Sequence, residues 1–204
     1  MLFVGITGGV GAGKSELLSY LATSYKAKVY LADEIAHRLM EPDSICYKEL
    51  KQLFMGHQVY QADGQFDKRK LADYLFNNPN EREKLNQIVH PAVKQYVCSC
   101  YEDQKEKKEL DLFILEAALL IEDHYDEICD ELWYIYTSEE NRRFRLKASR
   151  QYSDEKIDQM FRAQLPESIF RKYCKEEIDN NGSVENSCRQ LDYILAQHGI
   201  RKRI

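Results

Sequence analysis

Phe3-Val4-Gly5-Ile6-Thr7-Gly8-Gly9-Val10-Gly11-Ala12-Gly13-Lys14-Ser15 is the stretch that decides the fold. The apolar run at its start reads as a buried strand, the glycine-dense middle as a loop, and Leu17, Leu18 and Leu21 place a helix after it. Gly8, Gly13, Lys14 and Ser15 fit G-x-x-x-x-G-K-[ST], a loop that cradles phosphates. Glycines let main-chain N–H groups turn inward around phosphate oxygens, and a helix start adds a dipole that favours anions. On this reading Gly8, Gly9, Gly11, Ala12 and Gly13 form the cradle and Lys14 reaches the β- and γ-phosphates. The Ser15 hydroxyl holds Mg²⁺, and Glu16 stands beside the nucleotide. A nucleoside triphosphate with Mg²⁺ is the expected ligand.

The other bounds come from length and charge. At 204 residues the chain can bury a full core, and 44% hydrophobic with 31% charged residues is ordinary for a globular protein. A formal net charge of −5 gives no support for binding nucleic acid or an anionic membrane. No apolar run is long enough for a membrane span, and the N-terminus reads as a strand rather than a leader. The six cysteines, at 46, 98, 100, 129, 174 and 188, form no metal-ligand pattern. Reduced thiols in a cytoplasmic protein are expected.

Along the chain, residues 28–31 form a second strand candidate that ends next to Asp33. An acid there faces the ligand edge of a parallel sheet and could act on a substrate hydroxyl or on magnesium; equally, it could cap the helix that follows. Residues 41–108 are helical in pattern and read as a substrate-holding insertion in a single domain of 1–204. Its long helix from about 81 to 108 is expected to be interrupted at His90-Pro91. Leu112-Phe113-Ile114-Leu115-Glu116 reads as a central parallel strand, with Glu116 placed to act on a magnesium-bound water or simply exposed. Residues 131–136 form the next strand. Ser138 and Ser153 mark the starts of two helices, and the first carries Arg142, Arg143, Arg145, Lys147 and Arg150. This pair, 138–166, is read as an arginine lid over the loop, with Arg142 and Arg145 as candidates for neutralising a transferring phosphoryl group. Residues 177–180 make a weak edge strand before a final amphipathic helix.

This order of elements predicts an α/β P-loop kinase: a five-stranded parallel sheet flanked by helices, a helical insertion and a lid. Within that class the chain resembles the dephospho-coenzyme A kinase family over nearly its whole length. The resemblance rests on the paired glycines after Thr7, on Ala32-Asp33-Glu34-Ile35-Ala36-His37-Arg38, and on Asp63-Gly64 with Asp67, Arg69 and Leu71. It also rests on His90-Pro91, Ala118-Leu119-Leu120-Ile121-Glu122, Arg145-Leu146 with Gln164, and Ile178-Asp179-Asn180-Asn181-Gly182-Ser183. It implies that Asp33 is the base, that Arg38, His90 and Leu120 help hold dephospho-coenzyme A, and that Asn180 and Gly182 lie beside the nucleotide. Two other readings stay open: a nucleoside or nucleotide kinase, and a nucleotide-binding regulatory protein without catalysis. The second is motivated by departures from the family pattern at Glu16, Leu31, Ala118 and Ser149.

Overall fold

The computed structural model describes residues 1–203. In chain order the elements are β1 (Leu2–Thr7), α1 (Lys14–Ser24), β2 (Ala27–Leu31), α2 (Ala32–Leu39), α3 (Tyr47–Leu53), α4 (Lys68–Asn77) and α5 (Pro79–Lys107). They continue with β3 (Leu112–Glu116), β4 (Glu131–Tyr136), α6 (Glu139–Arg150), α7 (Asp154–Arg162), α8 (Glu167–Tyr173), β5 (Glu176–Asp179) and α9 (Val184–Gln197). The five strands form one sheet in the order β2-β3-β1-β4-β5, with parallel pairing of β1 to β3 and β4, and of β4 to β5. The chain packs as two compact units, Leu31–Cys100 and the remainder, with the boundaries at the end of β2 and inside α5.

The larger unit is built on β1. Phe3, Val4, Ile6, Leu112 to Leu115 and Leu132 to Ile135 are all buried, as expected of strands covered on both faces. Phe3 packs between rings, 4.8 Å from Tyr101 and 4.8 Å from Phe113, and Phe113 stacks on Tyr30 at 4.4 Å. The chain winds from β1 to β2 and β3 on one side, then crosses to β4 and β5 on the other. The carboxyl end of β1 is therefore the point where the winding reverses, which is where open α/β sheets bind their ligands. Helix α8 has no counterpart in the sequence reading, which ended the lid at Pro166. Pro166 is in fact the N-cap of α8, and Phe170 from its middle is buried and stacks on Tyr134 at 4.8 Å.

Leu31–Cys100 is mainly helical, with a ring cluster at its centre: Phe54 lies 6.0 Å from Phe66 and 5.9 Å from Tyr74, and Phe66 lies 4.8 Å from Tyr60. Asp63-Gly64 makes the expected turn; Gly64 takes φ 88°, and its carbonyl accepts a hydrogen bond from the Tyr47 hydroxyl at 2.6 Å. Asp67 caps α4, accepting from the N–H groups of Arg69 and Lys70 at 3.1 Å. The expected interruption at His90-Pro91 is absent, and α5 runs through Pro91. Pro91 and Gln87 both lie on the exposed face, so the Gln87 carbonyl that loses its helical donor can turn to water.

Glu131 is the larger unit's buried acid, 8% exposed, and it accepts from Trp133 Nε1 at 2.9 Å and from the Lys175 ammonium. Burial alone would push its carboxyl up; the bonds from Lys175 and Trp133 outweigh that and hold it below its ordinary value. A carboxyl lowered on folding adds stability at neutral pH that is lost as pH falls through the carboxylate range. Glu131→Gln is expected to lower stability by about 2 kcal/mol at neutral pH and to flatten the acid limb of the stability profile. Urea denaturation at a series of pH values measures both effects.

Candidate active site

The loop from Gly8 to Gly13 joins β1 to α1, and its shape needs its glycines. Gly11 and Gly13 take φ of 80° and 82°, in the left-handed region. A Cβ on Gly9 would stand 2.0 Å from Arg142 Nη1. The Ala12 N–H closes the turn on the Gly9 carbonyl at 3.0 Å. Lys14, the first residue of α1, folds back over the loop: its Nζ donates to the Gly8 carbonyl at 2.8 Å and lies 3.4 Å from Glu116 Oε1. Glu116 ends β3 in register with Ile6 of β1, which sets the acid beside the loop. Ser15 and Glu16 are exposed on the first turn of α1. There Glu16 meets the favourable end of the helix dipole, a structural reason for an acid directly after the motif.

The arginines divide by face. Arg142 and Arg145 are three residues apart on α6 and share a side of the helix, toward the loop. Arg142 is 8% exposed; its Nη1 donates to Gln164 Oε1 at 2.8 Å, and its guanidinium sits 4.2 Å from the Phe161 ring centre. Its Nε is buried and has no hydrogen-bond partner among the described residues. A desolvated, incompletely paired cation is unfavourable, and a phosphate oxygen would satisfy it. Arg145 donates through Nη1 to the Ala12 carbonyl at 3.2 Å and through Nη2 to the Asn180 carbonyl at 2.7 Å. Arg143 points elsewhere and ties α6 to α7 through Asp154 at 2.9 Å and Asp158 at 2.5 Å. Lys147 also binds Asp154, and Arg150 lies over the Tyr152 ring. Which arginine faces the loop could not be read from spacing, because the answer depends on Phe161 and Gln164, on and just past α7.

Two expected site residues have other occupations. Asn180 is 1% exposed, with its amide between Ala12 and Ser187, so the side chain serves the protein rather than a ligand. Leu120 is fully buried, with a methyl 3.0 Å from where a Cβ on Gly5 would stand; its side chain supports β1 and does not face a ligand. Gly182 is exposed in the turn before α9, next to the α9 cap Ser183. Thr137 joins the site without having been singled out, and Gln164, named with Arg145-Leu146 for the family resemblance, joins it through Arg142. Thr137 follows β4 directly, is 2% exposed, and its hydroxyl lies 3.1 Å from the Ala12 carbonyl.

In Leu31–Cys100, helix α2 begins at Ala32 with Leu31 as its N-cap and no side-chain cap. Asp33 is therefore not the cap. It lies in the first turn, two residues past the carboxyl end of β2, with an exposed carboxylate that no other described residue binds. Arg38 is exposed, its guanidinium 5.7 Å from the Tyr96 ring centre, and His90 is half-buried on α5.

A parallel sheet with a glycine cradle at the carboxyl end of its middle strand, a lysine folded over that cradle and a buried arginine against it defines a P-loop phosphotransferase. The family model described as dephospho-CoA kinase matches residues 2–186. The chain is 32% identical over 189 residues to a Streptococcus mutans dephospho-CoA kinase, covering 93% of each chain, and 31% identical over 202 residues to one from Shouchella clausii, covering 95% and 97%. A solved Thermus thermophilus structure superposes with a TM-score of 0.78 at 30% identity, covering 96% and 97%. A Campylobacter jejuni dephospho-CoA kinase shares the fold with a TM-score of 0.69 at 18% identity, covering 96% of each chain. This chain belongs to the dephospho-CoA kinase family.

The half-satisfied Arg142 makes a two-sided prediction. Arg142→Met should change the stability of the nucleotide-free protein by less than about 1 kcal/mol, because it removes an incompletely paired buried charge. The same change should weaken affinity for a non-hydrolysable ATP analogue about tenfold, through loss of a charge-assisted hydrogen bond. Thermal melts with and without that analogue separate the two effects.

Proposed function

We propose that this protein transfers the γ-phosphoryl group of ATP to the ribose 3′-hydroxyl of dephospho-coenzyme A, giving coenzyme A and ADP, the last step of coenzyme A biosynthesis. The observation that carries the reading is the buried Arg142 Nε, unpartnered against a glycine loop that already holds Lys14, in a chain matched to this family from residue 2 to 186.

The residues fit MgATP. The loop supplies N–H donors from two glycines in the left-handed region, and cations stand at Lys14 and Arg142. Ser15 would hold Mg²⁺ through its hydroxyl and Glu116 through a bound water. The ion supplies charge neutralisation at the β- and γ-phosphates. The protein's own part is positioning and electrostatics: Lys14 exchanges the Gly8 carbonyl for phosphate oxygens, and Arg142 adds its free N–H to the charge that builds on the transferring group. Asp33 accepts the proton of the attacking hydroxyl as the new O–P bond forms and the bond to the β-phosphate oxygen breaks. Arg38 and His90 serve the acceptor, and Leu31–Cys100 is the acceptor-holding part; residues 138–166 act as the lid. No helix among the described residues is long and apolar enough to cross a membrane, and a cytoplasmic enzyme supplied with ATP and a soluble acceptor suits this reading.

Asp33→Asn tests the assignment with shape and size kept. Turnover with dephospho-coenzyme A, read as ADP release, should fall by about 10²- to 10⁴-fold, while ADP affinity stays within about twofold of wild type. Near-full turnover would remove Asp33 as the base. A nucleoside that outcompetes dephospho-coenzyme A as acceptor would favour the nucleoside-kinase reading instead.

A further inference from the structure

The Ala12 carbonyl is the most heavily used acceptor in the site. Asn180 Nδ2 donates to it at 2.7 Å, Thr137 Oγ1 lies 3.1 Å away and Arg145 Nη1 3.2 Å. The donors come from three separate segments: the turn after β5, the turn after β4, and the lid helix α6. Ala12, Thr137 and Asn180 are each no more than 2% exposed, so water does not compete for this oxygen. Of the three, Asn180 is the one committed to it. The Thr137 hydroxyl has a single proton and also lies 2.9 Å from the Tyr136 carbonyl and 3.3 Å from that of Asn180. Arg145 makes its shorter bond to the Asn180 carbonyl. The Asn180 amide cannot turn over, since the Ala12 carbonyl only accepts; Oδ1 on the other side lies 2.8 Å from the Ser187 hydroxyl, which also reaches the Asp179 carbonyl at 2.9 Å.

Ala12 sits between Gly11 and Gly13, both in the left-handed region, so little in the local chain fixes the plane of the Ala12–Gly13 peptide. In a trans peptide the C=O and the following N–H point opposite ways. An Ala12 carbonyl pinned onto Asn180 turns the Gly13 N–H away from Asn180, and that N–H meets no protein acceptor among the described residues.

We infer that Asn180 is a positioning residue for the nucleotide: by holding the Ala12 carbonyl outward, its side-chain amide aims the Gly13 N–H at the bound phosphate. The inference rests on the proposed function only in taking a nucleoside phosphate as the ligand of this loop. It also explains why Arg145 reaches the loop without facing a phosphate: it fastens α6 to the same peptide. Lid and cradle thereby share one hydrogen-bonded point.

Asn180→Asp removes the donor and keeps the shape. ADP binding, measured by titration calorimetry with no acceptor present, is expected to weaken about tenfold at about pH 8, where a carboxylate faces the Ala12 carbonyl. At about pH 5.5 the variant should recover to within about threefold of wild type measured at the same pH, because a buried carboxyl there is protonated and can donate again. A pH-independent loss, or no loss at about pH 8, would overturn the role. If Asn180→Asp does not fold, Asn180→Ala, which removes the same donor without adding a charge, should weaken ADP about tenfold at both pH values, and wild-type ADP affinity in that variant would count against the anchor. Because ADP alone is the probe, a protein that binds ADP as described but ignores dephospho-coenzyme A would defeat the proposed acceptor and leave the anchor standing.

Discussion

A loop that grips phosphate with its backbone has to present N–H groups that nothing else claims, and still not move. Glycine satisfies the first need and undermines the second. Here the second is met from outside the loop, by groups at the ends of β4 and β5 and on helix α6 that all converge on the single carbonyl of Ala12. Parallel pairing of β1 with β4, and of β4 with β5, brings those ends together at one edge. The register of the central strands thus matters to the phosphate site as much as the loop's own residues do.

Electrostatics follow the same division. Lys14 is kept over the loop by the Gly8 carbonyl and Glu116, and Arg142 is kept against it by Phe161 and Gln164. Both cations are held beside the loop before a ligand arrives, and Lys14 then has only to exchange its carbonyl partner for phosphate; charge placed in advance in this way favours phosphoryl transfer. Arg143, Lys147 and Arg150 make α6 basic for a different purpose, holding α7 or lying on Tyr152. A dense run of positive charge can therefore be divided, within three turns of one helix, between residues that face the loop and residues that hold the neighbouring helix.

The parts of this arrangement written in local sequence were legible. The glycine-lysine-serine spacing, the apolar strands, and the serine caps at 138 and 153 depend on neighbours a few residues apart, and each forms where expected. Features decided by distant partners were not legible. Leu120 falls within a motif but faces the core at Gly5, and Asn180 looked like a ligand residue until Ala12 and Ser187 were seen to use both ends of its amide. Helix α8 is only seven residues long and owes its place to Phe170 stacking on Tyr134, which no periodicity announces. Pro91 signalled a break, yet its exposed position lets α5 continue.

The departures from the family pattern leave the glycine loop and its two cations in place. Glu16 suits a helix start, Leu31 is the N-cap of α2 with Asp33 exposed in the first turn, and Arg142 and Arg145 occupy the loop-facing side of α6 although position 149 carries serine. The most direct test is to identify the product. Purified protein is incubated with Mg-ATP and dephospho-coenzyme A, and the phosphorus and proton NMR spectra of the product locate the new phosphate. The account predicts a phosphomonoester on the ribose 3′-oxygen, formed in step with ADP. ATP binding without any phosphorylated product, or phosphate placed on another oxygen, would contradict it.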